Sequence, residues 1–181
     1  MERKKVTVPD ILRMKKEGKK ITKINLHDYP TAVLADRAGV DMVMIGDSIG
    51  MVVLGYSNTI PVTMEEMIHH TKAVCRGVVR AMVVADMPFM SYQASTEAAL
   101  RNAGRFLKET DAQAVKLEGG REVAEMTRRM TSSGIPVMGH LGLTPQSVQQ
   151  LGGFKIQGRG DVASRRILED ARILEESGAF S

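Results

Sequence analysis

Residues 81–89 read AMVVADMPF, and residues 114–120 read AVKLEGG. In the first stretch Ala81–Ala85 is a short apolar run that closes on an acid, Asp86. In the second, Ala114–Leu117 closes on Glu118. Between them lies Thr96–Lys108, with helical spacing and Ser95 placed to cap it. A strand, a helix and a second strand in that order form a parallel unit, because parallel neighbours need a long crossover. The same alternation runs outward in both directions. Upstream, Thr7, Pro9 and Gly18 mark a first helix, and Ile21–Leu26 is a strand. Helix Pro30–Ala38 follows with Gly39 at its C-terminal stop, then strand Asp41–Ile45 (DMVMI). A Gly- and Ser-rich loop leads to helix Met64–Arg76, where Thr63 and Glu66 form a capping box. Downstream come helix Arg121–Thr131 and strand Ile135–Gly139 (IPVMG). Thr144–Pro145 opens a short helix, and Asp161 caps a last one reaching about Glu176, with Gly178 beyond. Strands of four to six apolar residues alternating with longer helices predict an α/β fold with a parallel sheet under helical cover. No linker divides the chain, so residues 1–181 read as a single domain.

The 181 residues are 43% hydrophobic but only 4% aromatic, with no Trp and four Phe, so the core must be aliphatic. Thirteen Met fit that core as gap fillers. The net charge of +4 is uneven: residues 1–23 carry nine Lys/Arg against three Asp/Glu, and the rest of the chain is slightly acidic. Lys15, Lys16, Lys19 and Lys20 read as a solvated helix face and turn. No basic stripe with aromatic or groove-entering elements points to nucleic acid. Cys75 is the only cysteine, which excludes an internal disulfide and suits a reducing cytoplasm; its place within a helix suggests a buried thiol. No apolar run approaches the ~20 residues of a membrane span, and MERKK leads into no signal-peptide core. Neither a P-loop nor a GxGxxG signature supports nucleotide binding. GRGD (Gly158–Asp161) reads as a turn before a helix.

Polar residues gather where the strands end: Asp28, Asp47, Asp86, Glu118 and His140. In a parallel α/β barrel all strand C-termini open on one face, so these five converge on one pocket, the usual catalytic position. Capping of the following helix competes as an explanation for Asp28. It does not serve Asp47, Asp86 or Glu118, whose helices start later with caps of their own. Carboxylates crowded at one sheet end repel one another unless a cation lies between them, and a hard divalent ion such as Mg²⁺ would relieve the conflict. Lys116 and Glu118 are two apart and share a face, while Val115 and Leu117 face the helices. Lys116 therefore points into the barrel, either as an ion-pair partner of Glu118 or as a cation for an anionic substrate. His69 and His70 are adjacent on a helix and cannot both serve one site.

Five motifs in order resemble the ketopantoate hydroxymethyltransferase family: GDSIGMVVLGY (Gly46–Tyr56), VVADMPF (Val83–Phe89), AVKLEGG (Ala114–Gly120), IPVMGHLGLTPQSV (Ile135–Val148) and LGGFKIQGRG (Leu151–Gly160). The resemblance implies a (β/α)8 TIM barrel of the phosphoenolpyruvate mutase/isocitrate lyase superfamily, of which this chain would hold about the first five strands and their helices. It implies hydroxymethyl transfer from 5,10-methylenetetrahydrofolate to 3-methyl-2-oxobutanoate, a small 2-keto acid, through a Mg²⁺-stabilised enolate, in pantothenate biosynthesis. Asp47 and Asp86 would ligate Mg²⁺, with Glu118 completing the metal's surroundings directly or through water. Ser48, Lys116 and His140, beside those two acids, would hold the keto acid. The family's general-base glutamate falls after a stretch that begins as GAFS (Gly178–Ser181), so no catalytic base is assigned within this chain. That leaves two alternatives: a truncated inactive chain, or a related Mg²⁺-dependent 2-keto acid lyase or mutase. The family also implies a homo-oligomer, a decamer. One departure stands out, since NLHD (Asn25–Asp28) replaces the family's T-A-Y-D, putting His27 where a tyrosine is usual. A local His27–Asp28 hydrogen bond or an altered substrate choice would follow.

Overall fold

The computed structural model describes residues 4–181. Five parallel strands form one sheet in the order β1-β2-β3-β4-β5: β1 Lys23–Asn25, β2 Met42–Ile45, β3 Met82–Asp86, β4 Ala114–Glu118 and β5 Val137–His140. Each strand sits beside its sequence neighbour, as in the wall of a barrel. The expected and observed strands differ at the margins. β1 is shorter than expected, and at its start the Thr22 backbone N–H and hydroxyl both donate to the Asp41 carboxylate, at 2.9 and 2.8 Å, while the Thr22 carbonyl accepts from Met42 N–H. Asp86, Glu118 and His140 are the last residues of their strands rather than the first residues after them.

The crossovers are mostly helical: α1 Val8–Lys16, α2 Tyr29–Ala38, α3 Ile49–Val52, α4 Met64–Gly77, α5 Thr96–Glu109, α6 Ala124–Ser132, α7 Val148–Leu151 and α8 Asp161–Glu176. The caps follow the sequence closely. Thr63 N–H donates to Glu66 Oε2 at 2.7 Å and Glu66 N–H to Thr63 Oγ1 at 3.2 Å, the reciprocal box. Ser95 Oγ accepts from Ala98 N–H, and Gly39 ends α2 with φ 85°. Three expectations are corrected. The loop after β2 contains α3. The helix expected over 121–131 starts as a 3-10 turn, Arg121–Val123, before α6. Gly160, with φ 80°, holds the cap position of α8, and Asp161 is its first residue, where a negative charge suits the helix dipole.

The sheet separates two cores. Val43, Ile45, Val83, Ala85, Val115 and Leu117 pack outward against the helices. Met42, Met44, Met82, Val84, Ala114 and Met138 face inward, where Ile11 of α1 closes over them. Four methionines thus fill the interior, as flexible side chains can. After α8 the chain returns to β5: Phe180 N–H donates to Val137 O and Gly139 N–H to Ser181 O, continuing the ladder. Lys15, Lys16, Lys19 and Lys20 are exposed, and Cys75 is buried with a free thiol. Among the described residues no helix is long and apolar enough to cross a membrane.

Candidate active site

The inner face that carries methionine lower down turns polar at its C-terminal edge. Asp47 follows β2, Asp86 ends β3, Lys116 and Glu118 share the inner face of β4, and His140 ends β5. With Ser48 and Asn25 they line a cavity of about 170 Å³. The cluster is deeply buried: Asp86 is 1% exposed, Asp47 3%, Lys116 4% and Glu118 6%. The Lys116 ammonium bridges Asp86 Oδ2 at 2.8 Å and Glu118 Oε1 at 3.0 Å. Glu118 also binds His140 Nδ1 at 3.0 Å and accepts the Gln146 backbone N–H at 3.0 Å. The backbone N–H of Asp47 reaches Asp86 Oδ2 at 3.3 Å. Lys116 is thus paired with Glu118 and also faces the cavity.

Two kinds of buried acid occur in this chain. Asp36 and Asp41 lose solvation too, but backbone N–H groups of Ala81, Arg80 and Thr22 solvate them, and both carboxyls stay below their ordinary range. The site acids differ. Burial pushes Asp86 up to about 7 although Lys116 pulls the other way, and burial also raises Asp47. Burial alone would raise Glu118, but His140 and Lys116 outweigh it and hold the carboxyl below its usual value. Burial likewise works against the Lys116 ammonium, and Asp86, Glu118 and Asp47 keep it charged. The pocket holds three carboxyls against one ammonium, so it favours further positive charge.

Among the described residues, no three His, Cys, Asp or Glu side chains are arranged to hold a metal by themselves. Lys116 is the physical reason. It supplies much of the cation that carboxylate repulsion demands, and Glu118 is engaged at both oxygens by Lys116, His140 and Gln146. A direct three-carboxylate cage of Asp47, Asp86 and Glu118 is thus not formed. The donors still fit Mg²⁺, which is commonly held by one or two carboxylates with water and substrate oxygens completing its octahedron. Asp86 Oδ1 is buried without a hydrogen-bond partner, and a hard cation would satisfy it.

Asp28 does not join the site. It caps α2, accepting from Thr31 N–H at 2.8 Å and Thr31 Oγ1 at 2.9 Å, so four of the five strand-end residues converge. The expected His27–Asp28 hydrogen bond is also absent. His27 is buried with Nδ1 unpartnered, and its carbonyl oxygen lies 2.8 Å from His70 Nδ1. His69 is exposed on the same helix as His70. Sequence reasoning overlooked Gln146 and Tyr92. Gln146 Nε2 donates to Asp47 Oδ2 and to Met87 O, both at 2.9 Å, and Tyr92 OH donates to Gln146 Oε1 at 2.7 Å. Their only sequence signal was membership in, or proximity to, the TPQSV and DMPF motifs.

Solved structures share this fold. Phosphonopyruvate hydrolase, in a complex with oxalate and Mg²⁺, superposes with a TM-score of 0.70 over 96% of this chain and 61% of that one, at 14% identity. For 2,3-dimethylmalate lyase, described as a phosphoenolpyruvate mutase/isocitrate lyase superfamily member, the TM-score is 0.65 over 95% and 61%, at 15% identity. The chain shares the fold of these proteins over its five parallel strands. A family profile described as ketopantoate hydroxymethyltransferase matches residues 5–181. The 3-methyl-2-oxobutanoate hydroxymethyltransferase of Syntrophus aciditrophicus (strain SB) is 66% identical over 98% of this chain and 65% of its own length. That of Carboxydothermus hydrogenoformans (strain ATCC BAA-161 / DSM 6008 / Z-2901) is 59% identical over 98% and 64%. The chain belongs to the ketopantoate hydroxymethyltransferase family, and it spans about 65% of the length of the first of these relatives.

Proposed function

We propose that this chain forms the metal- and keto-acid-binding part of an enzyme that transfers a hydroxymethyl group from 5,10-methylenetetrahydrofolate to 3-methyl-2-oxobutanoate. The observation that carries this reading is the buried Asp47–Asp86–Lys116–Glu118–His140 cluster around one small cavity. At about 170 Å³ the cavity lies below the range that takes drug-sized ligands and suits a small acid. Asp47 and Asp86 would hold Mg²⁺. When bound, the ion supplies Lewis acidity toward the carboxylate and keto oxygens of the substrate.

The chain's own groups have distinct tasks. Lys116, kept charged by its acids, places positive charge where the substrate's oxygens gather negative charge as the C3 proton leaves. Glu118 orients His140 through Nδ1, so that Nε2 is the ring nitrogen left for a ligand. Ser48 lines the same cavity and offers a hydroxyl to the keto acid. Glu118 is a poor base here, because both its oxygens accept hydrogen bonds and its carboxyl lies below the ordinary range. The family's glutamate, expected C-terminal to Ser181, is the group we assign to proton removal. A homo-oligomer belongs to the same reading, and the exposed apolar side chains of Met51, Val52 and Val53 on and beside α3 are consistent with an interface.

The test is ketopantoate formation by the full-length protein carrying this segment, with Mg²⁺ and both substrates. The expected result is methylenetetrahydrofolate-dependent product that falls roughly 100-fold or more in Asp86→Asn, the several kcal/mol a Lewis-acid metal provides. No such product, or an undiminished rate in Asp86→Asn, would refute the proposal.

A further inference from the structure

Gln146 is an uncharged residue that meets two acids of the site, Asp47 through its side chain and Glu118 through its backbone. It lies in the 3-10 turn Pro145–Ser147 after β5 and is 5% exposed. Every polar function of its side chain is used. Both Nε2 hydrogens are given, one to Asp47 Oδ2 and one to Met87 O, each at 2.9 Å. Oε1 accepts from Tyr92 OH at 2.7 Å and from Gln93 Nε2 at 3.1 Å. Its backbone N–H meets Glu118 Oε2 at 3.0 Å. The amide has only one workable orientation, since flipping it would set Oε1 against a carboxylate and a carbonyl and lose both donors. Tyr92 holds that orientation from behind, and its hydroxyl also accepts the Glu118 backbone N–H at 3.1 Å.

We infer that Gln146 is a positioning residue for the metal site, locking the carboxylate of Asp47 in the rotation that a divalent cation requires. The inference rests on the assignment of Mg²⁺ to Asp47 and Asp86. A carboxylate held only by its own χ angles can turn about its last bond, whereas one tied at Oδ2 by a donor fixed at four points cannot. The same residue anchors Glu118 from its backbone, so the acids that follow β2 and end β4 are referred to one rigid turn. Packing alone would not explain this, because an apolar side chain of similar volume fills space without needing four partners. Partners that orient metal ligands typically govern affinity by about 10- to 100-fold.

The experiment is Mn²⁺ titration of the chain followed by electron paramagnetic resonance, with circular dichroism as a fold control. Gln146→Met and Gln146→Leu are expected to weaken Mn²⁺ binding by roughly 10- to 100-fold with the spectrum retained. Tyr92→Phe, which removes the donor behind Oε1, is expected to shift affinity the same way by less. Gly77→Ala crowds the contact of α4 with α2, among residues that do not line the cavity, and its affinity should equal that of the unaltered chain. Unchanged Mn²⁺ affinity in the Gln146 variants would overturn the inference alone. So would equal weakening in Gly77→Ala, which would mark the effect as general loosening. Should both Gln146 variants fail to fold, unaltered affinity in Tyr92→Phe would overturn it. No Mn²⁺ binding by the unaltered chain would instead remove the metal assignment on which it stands.

Discussion

Replacing Lys116 with Met tests how the site holds its own charge. The Lys116 ammonium pairs with both Asp86 Oδ2 and Glu118 Oε1, at 2.8 and 3.0 Å, and all three groups are almost fully buried. Removing one member of a buried pair costs about 3–5 kcal/mol, because the charge left behind keeps its desolvation penalty and loses its partner. Here the loss is partly relieved. Asp86, already at about 7, becomes neutral once Lys116 is gone, so the expected cost lies near the lower end, about 3 kcal/mol. That is a large share of the ~5–15 kcal/mol by which a domain is stable. Urea unfolding with EDTA, followed by circular dichroism, measures it. Asp86→Asn in the Lys116→Met background should cost little more, since a neutral amide replaces a neutral acid. A loss under about 1 kcal/mol for Lys116→Met, the size of an exposed pair, would refute the reasoning.

The fold supplies three more tests. Thr63→Ala removes the hydroxyl that accepts from Glu66 N–H and should lower stability by about 1 kcal/mol in thermal unfolding; no change would mean the box is idle. Gly77→Ala brings a Cβ to 2.8 Å from Ala32 Cβ and 2.9 Å from Tyr29 O, part of it backbone that cannot move aside, and should cost about 1–3 kcal/mol by the same assay. His27 is buried, and burial, then the nearby His70, holds its imidazole below the ordinary 6.5. The unfolded chain then takes up the proton first as pH falls, so His27's contribution is constant above about 6.5 and declines below it. Proton NMR titration should place His27 below 6.5, and His27→Gln should flatten the acid limb of the stability curve. Titration at or above 6.5 would contradict this.

Much of the fold was legible because it repeats. Met42–Ile45, Met82–Asp86 and Ala114–Glu118 are largely apolar runs too short for helices, each followed by a helical stretch, of which those starting at Met64 and Thr96 carry side-chain caps. The failures have local causes. α3 is four residues long and lies among Gly46, Ser48 and Gly50, a composition that reads as loop. The start of β1 misleads because Thr22 looks like a strand residue, whereas its N–H and hydroxyl are taken by Asp41. Within the site, acids at strand ends announced themselves by charge in an apolar setting. Gln146 carries no charge and lies 99 residues from Asp47 in the chain, so only the folded loop reveals it. Repulsion among the acids points to an outside cation, and Lys116 meets part of that demand first.

Calorimetric titration of 3-methyl-2-oxobutanoate into the chain, with Mg²⁺ and with EDTA, tests the shared site most directly. Binding that needs Mg²⁺ and disappears in Asp86→Asn is the result this geometry requires. Equal affinity with EDTA, or full affinity in Asp86→Asn, would show that the acids at the ends of these strands do not gather metal and keto acid together.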